Sequence, residues 1–129
     1  MIQTIYHHFT KAYKVTTDSR KVEQNAVFFA LKGENFDAND FALQVAEAGV
    51  ASLVVADRKD LPKHERILIV DDTLKTLQDL AAYHRQQCKA TVLSITGTNG
   101  KTTTKELVSA VLAKKYNIIH TMGNLNNHI

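Results

Sequence analysis

Of the 129 residues, one is cysteine, one is proline and none is tryptophan. A single thiol, Cys88, cannot close an internal disulfide, so a cystine-stapled secreted scaffold is excluded. The pattern suits a reducing cytoplasm, with Cys88 read as a packed helix residue. No histidine stands at metal-ligand spacing from that cysteine or from a second histidine, which argues against a zinc site or a Cys–His nucleophile. Aromatic residues make up only 7% and do not alternate with basic ones, unlike a platform for single-stranded nucleic acid. The net charge of +3 is modest and forms no long basic run, so no nucleic-acid partner is implied. Long apolar runs are missing too. LVVA and ILIV are far too short to cross a bilayer, and MIQTIYHHFTKAYK lacks the cationic stretch and apolar core of a signal peptide. Repeats and low-complexity tracts are absent.

What remains is a globular composition, 44% hydrophobic, with strands and helices in alternation. The spacing predicts a short helix over IQTIYHHFTKAY and strands at KVTTD, AVFFAL, ASLVVAD and RILIV. KGENFDAND reads as a polar turn and DRKDLPKHE as a loop. DFALQVAEAGV carries helical periodicity, with Gly49 placed to end the helix. DDTLKTLQDLAAYHRQQC reads as a helix capped by Asp72, with Leu74, Leu77, Leu80 and Ala81 on its packed face. TVLSIT and NIIHT read as strands, and between them KTTTKELVSAVLAKKY is a helix packing Leu107, Val108, Val111 and Leu112 inward. The order points to an α/β fold with mostly parallel pairing. The expected division is a small domain over residues 1–72 and a second one begun at 73–129. A lone strand–helix–strand from Thr91 onward cannot cover both faces of a parallel sheet, so that second domain is expected to continue.

The chemistry lies in SITGTNGKTTTKEL. A strand, a glycine turn, Lys-Thr and a helix in that order make a phosphate-binding loop. Orphan N–H groups and the dipole at the helix start attract phosphate oxygens, and glycines let the chain curl around them. Lys101 adds a full positive charge, and Thr102 offers a hydroxyl oxygen to Mg²⁺. A mere turn needs neither the lysine nor the run of threonines. Yet the common loop, G-x-x-x-x-G-K-[ST], would put its first glycine at position 95, where Ile95 stands; Gly97 is the glycine preceding Gly100.

The string GTNGKTTT resembles the nucleotide loop of the Mur ligase family, ATP-dependent enzymes that build the peptide of bacterial cell-wall precursors; folylpolyglutamate synthetases use a similar short loop. DSRKV at 18–22, FFALKGENFDANDF at 28–41 and GNLNN at 123–127 are similar to the branch that joins D-alanyl-D-alanine to a UDP-N-acetylmuramoyl-tripeptide. The resemblance covers nearly the whole chain. It implies a small UDP-binding α/β domain followed by the first strand, loop, helix and strand of a P-loop ATPase domain, in a cytoplasmic enzyme acting as a monomer. It further implies that Gly97, Thr98, Asn99, Gly100, Lys101, Thr102 and Thr103 cradle the phosphates of ATP. Lys101 acts on the transferred phosphoryl group and Thr102 ligates Mg²⁺. Ser19 and Arg20, the stretch Phe29, Ala30, Leu31, Lys32 and Gly33, and Asn124, Asn126 and Asn127 hold the UDP-sugar. On composition alone DSRK reads as a solvated strand end, and GNLNN as a turn of residues that tolerate left-handed backbone. One departure stands out: Ala38-Asn39 occupies a position where the family often has Gly-His. Residues that complete the ligase site would lie past Ile129, so this stretch alone is expected to be inactive. Two rivals are a sister ligase adding a single amino acid and a non-catalytic UDP-sugar-binding module. A small P-loop kinase fits neither the loop spacing nor the long stretch before it.

Overall fold

The computed structural model describes residues 1–123 and divides into two compact units, the first running from Met1 to Cys88 and the second beginning at Lys89. In the first unit the elements are α1 (Ile2–Phe9), β1 (Val15–Thr16), β2 (Val27–Phe29), a 3₁₀ turn (Ala38–Phe41), α2 (Ala42–Glu47), β3 (Leu53–Ala56), β4 (Ile67–Ile69) and α3 (Thr73–Gln87). The strands form one parallel sheet in the order β1-β2-β3-β4, with Val15 beside Val27, Phe28 beside Val54 and Val55 beside Leu68.

Alternation along the strands explains why the sequence shows continuous apolar runs. Phe28, Val54 and Ala56 point to one face, where Ala42, Val45 and Ala46 of α2 cover them. Val27, Phe29, Leu53 and Val55 point to the other, against Ile5 and Phe9 of α1 and Leu80 of α3. Both faces are dry, so both strand parities must be apolar. The strands at AVFFAL and ASLVVAD appear as expected. RILIV forms the β4 edge and is less buried than expected, with Ile69 37% exposed.

Helix punctuation follows the sequence. Asp72 caps α3 by accepting from the Lys75 N–H at 2.8 Å. Gly49 ends α2 at φ +71°, and the Arg66 guanidinium donates to its carbonyl at 2.6 Å. The packed face of α3 differs from the expected one. Thr73, Thr76 and Leu80 are buried, Leu74 and Leu77 are half-buried, and Ala81 is exposed. Two threonines can be buried because their hydroxyls find acceptors, Asp57 for Thr73 and the Asp72 carbonyl for Thr76. Since α3 packs on α1 around Leu80 and Ile5, it belongs to the first unit. That compact unit therefore extends beyond the expected boundary at residue 72. Cys88 follows α3 and is exposed, where a packed residue was expected.

The second unit contains α4 (Lys101–Leu112). The segments TVLSIT and NIIHT are irregular here, not strands. With no strand beside them among the described residues, no ladder forms to satisfy their backbone groups. For the same reason α4 has no sheet to cover within the unit: Val108 and Leu112 are half-buried, but Leu107 is 64% and Val111 71% exposed, contrary to their expected inward packing.

Candidate functional site

In the second unit the two loop glycines adopt backbone that other residues avoid, Gly97 at φ +152° and Gly100 at φ +76°. Gly100 is the N-cap of α4, and no side chain caps that end. The first intrahelical bond is Thr104 N–H to the Gly100 carbonyl at 2.9 Å, so the N–H groups of Lys101, Thr102 and Thr103 have no helical partner. All three residues are exposed, as are Thr98 and Asn99. Lys101 folds back across the loop and donates to the Gly97 carbonyl at 2.5 Å. The loop thus offers backbone donors without helical partners, the positive end of the helix dipole and an ammonium group, a combination whose chemistry suits phosphate. The shortened spacing still places both glycines where positive φ is needed.

Lys105, which the sequence reading did not single out, lies one turn after Lys101 on the same face. Its Nζ donates to the carbonyls of Thr121 at 2.6 Å and Gly123 at 3.0 Å, and pairs with Glu106 at 2.9 Å. Hydrogen bonding from Lys105 holds the Glu106 carboxyl below its ordinary range. Lys105 therefore ties α4 to the segment leading into GNLNN. Asn124, Asn126 and Asn127 themselves lie outside the described residues.

In the first unit, Ser19 and Arg20 flank an open cleft of about 350 Å³, with Phe41, Gln44, Val45 and Ala48 opposite. They follow β1 at the carboxyl edge of the sheet, the edge at which open α/β sheets take ligands. Arg20 is held by Asp18 through Nε–Oδ1 and Nη2–Oδ2 contacts of 2.9 Å each, and its backbone N–H donates to the same carboxylate at 3.0 Å. These bonds from Arg20 lower the Asp18 carboxyl to about 2. The pairing leaves Nη1 of Arg20 without a partner among the described residues. The expected wall from Phe29 through Gly33 divides. Phe29 and Ala30 are buried in the core and line no cleft; Leu31 packs half-buried beside α1 and α3. Lys32 and Gly33 are exposed in a turn closed by a bridge from Lys32 to Asp37 and by the Gly33 N–H on the Phe36 carbonyl at 2.7 Å. The wall of the Ser19–Arg20 cleft comes from α2 and its approach instead.

Asn39, at the position where the family often has histidine, is 1% exposed. Its Nδ2 lies 2.7 Å from Asp37 Oδ1 and 2.9 Å from Asp57 Oδ1, and its Oδ1 accepts from the Asp57 N–H at 3.2 Å. Asp57 in turn accepts from the Thr73 hydroxyl at 3.0 Å, and Arg58 bridges Asp37 and Asp40 at 2.8 and 2.7 Å. Burial pushes the Asp37 carboxyl up, but bonds from Arg58 and Asn39 outweigh it and hold it at about 2. This network fastens the ends of β2 and β3 to the start of α3. His84 packs among Tyr6, Phe9 and Tyr13, and among the described residues no group of acidic, cysteine or histidine residues could hold a metal.

A family model described as "Mur ligase family, catalytic domain" matches residues 11–85, and one described as "Mur ligase middle domain" matches 95–129. The chain is 47% identical over 122 residues to the UDP-N-acetylmuramoyl-tripeptide–D-alanyl-D-alanine ligase of Bacillus subtilis (strain 168), a match spanning 93% of this chain and 26% of that relative. It is 46% identical over 115 residues to the enzyme of that name from Escherichia coli (strain K12), spanning 89% and 25%. The crystal structure of MurF ligase from Thermotoga maritima in complex with ADP superposes with a TM-score of 0.76 at 35% identity, over 88% of this chain and 26% of that one. A MurF structure from Acinetobacter baumannii gives 0.76 at 40% identity, over 89% and 25%. The chain thus spans about a quarter of the length of the curated relatives it matches. With the first family model covering more than half of it and the second taking in the phosphate loop from Ile95, the chain belongs to the Mur ligase family.

Proposed function

We propose that this chain is the N-terminal part of an ATP-dependent ligase that joins D-alanyl-D-alanine to UDP-N-acetylmuramoyl-tripeptide in cell-wall precursor synthesis. The observation that carries the reading is the phosphate loop at the start of α4, in a chain whose relatives at 47% and 46% identity bear that activity in their names. The first unit takes the uridine diphosphate end of one substrate, with Ser19 and Arg20 at the cleft. The second takes the phosphates of ATP. A monomeric, cytoplasmic setting goes with this reading, in keeping with the single unpaired Cys88.

The substrate carboxylate attacks the γ-phosphate of ATP to give an acyl phosphate and ADP. The dipeptide amine then attacks the acyl carbon and phosphate leaves. Neither step requires the protein to form a covalent bond, so its work is positioning and charge stabilisation. Gly97, Thr98, Asn99 and Gly100 wrap the phosphates, and the N–H groups of Lys101, Thr102 and Thr103 point at their oxygens. Lys101 leaves the Gly97 carbonyl to meet the negative charge on the transferred phosphoryl group. The donor set suits Mg²⁺, since the Thr102 hydroxyl is exposed beside the phosphate cradle and this ion is commonly held by few protein oxygens together with phosphates. Mg²⁺, when bound, supplies neutralisation of phosphate charge. Asn124, Asn126 and Asn127 complete the grip on the sugar-peptide, with Lys105 fixing the segment that leads to them.

Phosphate release by the full-length enzyme tests the reading. With Mg-ATP and UDP-N-acetylmuramoyl-tripeptide, release is expected when D-alanyl-D-alanine is offered and not with single amino acids. Release only with an amino acid would indicate a sister ligase. No release with any amine, together with retained UDP-sugar binding, would indicate a non-catalytic binding module.

A further inference from the structure

Lys105 lies in the second turn of α4, about 6 Å along the helix axis from Lys101. The two lysines share a face and are used differently. Lys101 is exposed and donates to the Gly97 carbonyl at 2.5 Å. The Lys105 side chain is only 16% exposed, against 71% for Lys75 on α3. An ammonium group carries three donors, and here three acceptors meet it: the Thr121 carbonyl at 2.6 Å, the Gly123 carbonyl at 3.0 Å and the Glu106 carboxylate at 2.9 Å. A cation near the start of a helix opposes the helix dipole, and one withdrawn from water costs solvation, so these partners are what keep Lys105 in place.

The segment it grips has little else to hold it. Among the described residues no backbone–backbone hydrogen bond reaches 117–123, and Gly123 turns the chain at φ +56°. Lys105 therefore fixes this turn against the helix whose first N–H groups face the phosphates. The reaction gives that tie a purpose. The substrate carboxylate must approach the γ-phosphate closely, and a misplacement of about 1 Å can cost about 100-fold in rate. We propose that Lys105 is a positioning residue that sets the sugar-peptide segment, which starts at Asn124, at a fixed distance from the phosphate loop. It touches neither substrate. The proposal rests on the ligase reading above and adds the side chain that couples its two binding elements within the second unit.

The test uses Lys105→Met and Lys105→Arg in the full-length enzyme. Methionine keeps an unbranched side chain but removes the charge and the donors; arginine keeps both. In the methionine variant kcat/KM for UDP-N-acetylmuramoyl-tripeptide should fall by about tenfold or more, through a higher KM and a lower kcat. The ATP dissociation constant from nucleotide titration and the KM for D-alanyl-D-alanine should stay as in the unmodified enzyme. The arginine variant should recover much of the loss. An unchanged kcat/KM in the methionine variant, or equal losses in both variants, would overturn the tie. A parallel loss of ATP affinity would make Lys105 a phosphate ligand instead, and a lower melting temperature with even losses for all three substrates would make it a stability residue; each result overturns the proposal. If the unmodified enzyme does not consume the UDP-sugar tripeptide at all, the ligase reading itself fails and the proposal falls with it.

Discussion

Replacing Asn39 by alanine should destabilise the first unit strongly, because this amide holds two carboxylates apart and together at once. Asn39 is 1% exposed and lies 2.7 Å from Asp37 and 2.9 Å from Asp57, while accepting from the Asp57 N–H at 3.2 Å. Hydrogen bonds to charged groups contribute about 1.5–3 kcal/mol each, and a buried group left without its partner costs about 1–3 kcal/mol. The terms do not add in full, since Asp37 keeps Arg58 and Asp57 keeps Thr73. A net loss of about 3 kcal/mol is expected, a large share of the roughly 5–15 kcal/mol that holds a typical domain together. In a unit of this size it corresponds to a drop in melting temperature of more than about 10 °C. Thermal and urea unfolding of the 129-residue chain at neutral pH, followed by circular dichroism, measure it; the urea slope should not change. Asn39→Asp, nearly the same shape, should be at least as damaging, because it sets a third carboxylate beside Asp37 and Asp57. A loss of less than about 1 kcal/mol for Asn39→Ala would refute the reasoning and make the network a solvated rim.

Two further outcomes are expected. The Asp37 carboxyl sits at about 2 against an ordinary 3.8, so its ionised form favours folding: the contribution is fully present above about pH 4 and is lost as pH falls towards 2. Asp37→Asn should flatten that part of the acid-unfolding curve, and superimposable curves would show that Arg58 does not hold this carboxylate in solution. Gly100→Ala should weaken ATP binding by the full-length enzyme by about tenfold, since left-handed backbone costs an alanine about 1–2 kcal/mol. A Cβ at Gly100 would meet no atom within 4 Å, so the loss would be conformational and not steric. Nucleotide titration of the variant checks it, and unaltered affinity would show that the loop does not need the φ of +76°.

Local signals carried far in this chain. Asp72 and Gly49 punctuate helices where the sequence places them, because capping depends on a few neighbouring backbone groups. The run at LVVA declared a strand covered on both faces, and the glycines ahead of Lys101 declared a positive-φ turn into a helix even at unfamiliar spacing. Partnership was less legible. TVLSIT and NIIHT carry strand-like composition, but a strand exists only beside another. Ala81 lies on the apolar stripe of α3 and is exposed, while Thr73 and Thr76 are buried because acceptors from other elements reach them. The role of Asn39 could not be read from FDANDF, since its partner Asp57 lies beyond the next helix and strand.

The sequence by itself determined the α/β class, the helix caps and the loop at the start of α4, because each rests on periodicity or on chemistry within a few residues. Only the tertiary structure decided that Phe29 and Ala30 serve the core while Phe41 stands at the cleft, that α3 closes the first unit, and that Asn39 joins the ends of two strands. Those outcomes depend on which groups from distant parts of the chain meet, and burial becomes favourable only once the partners that satisfy it are in place.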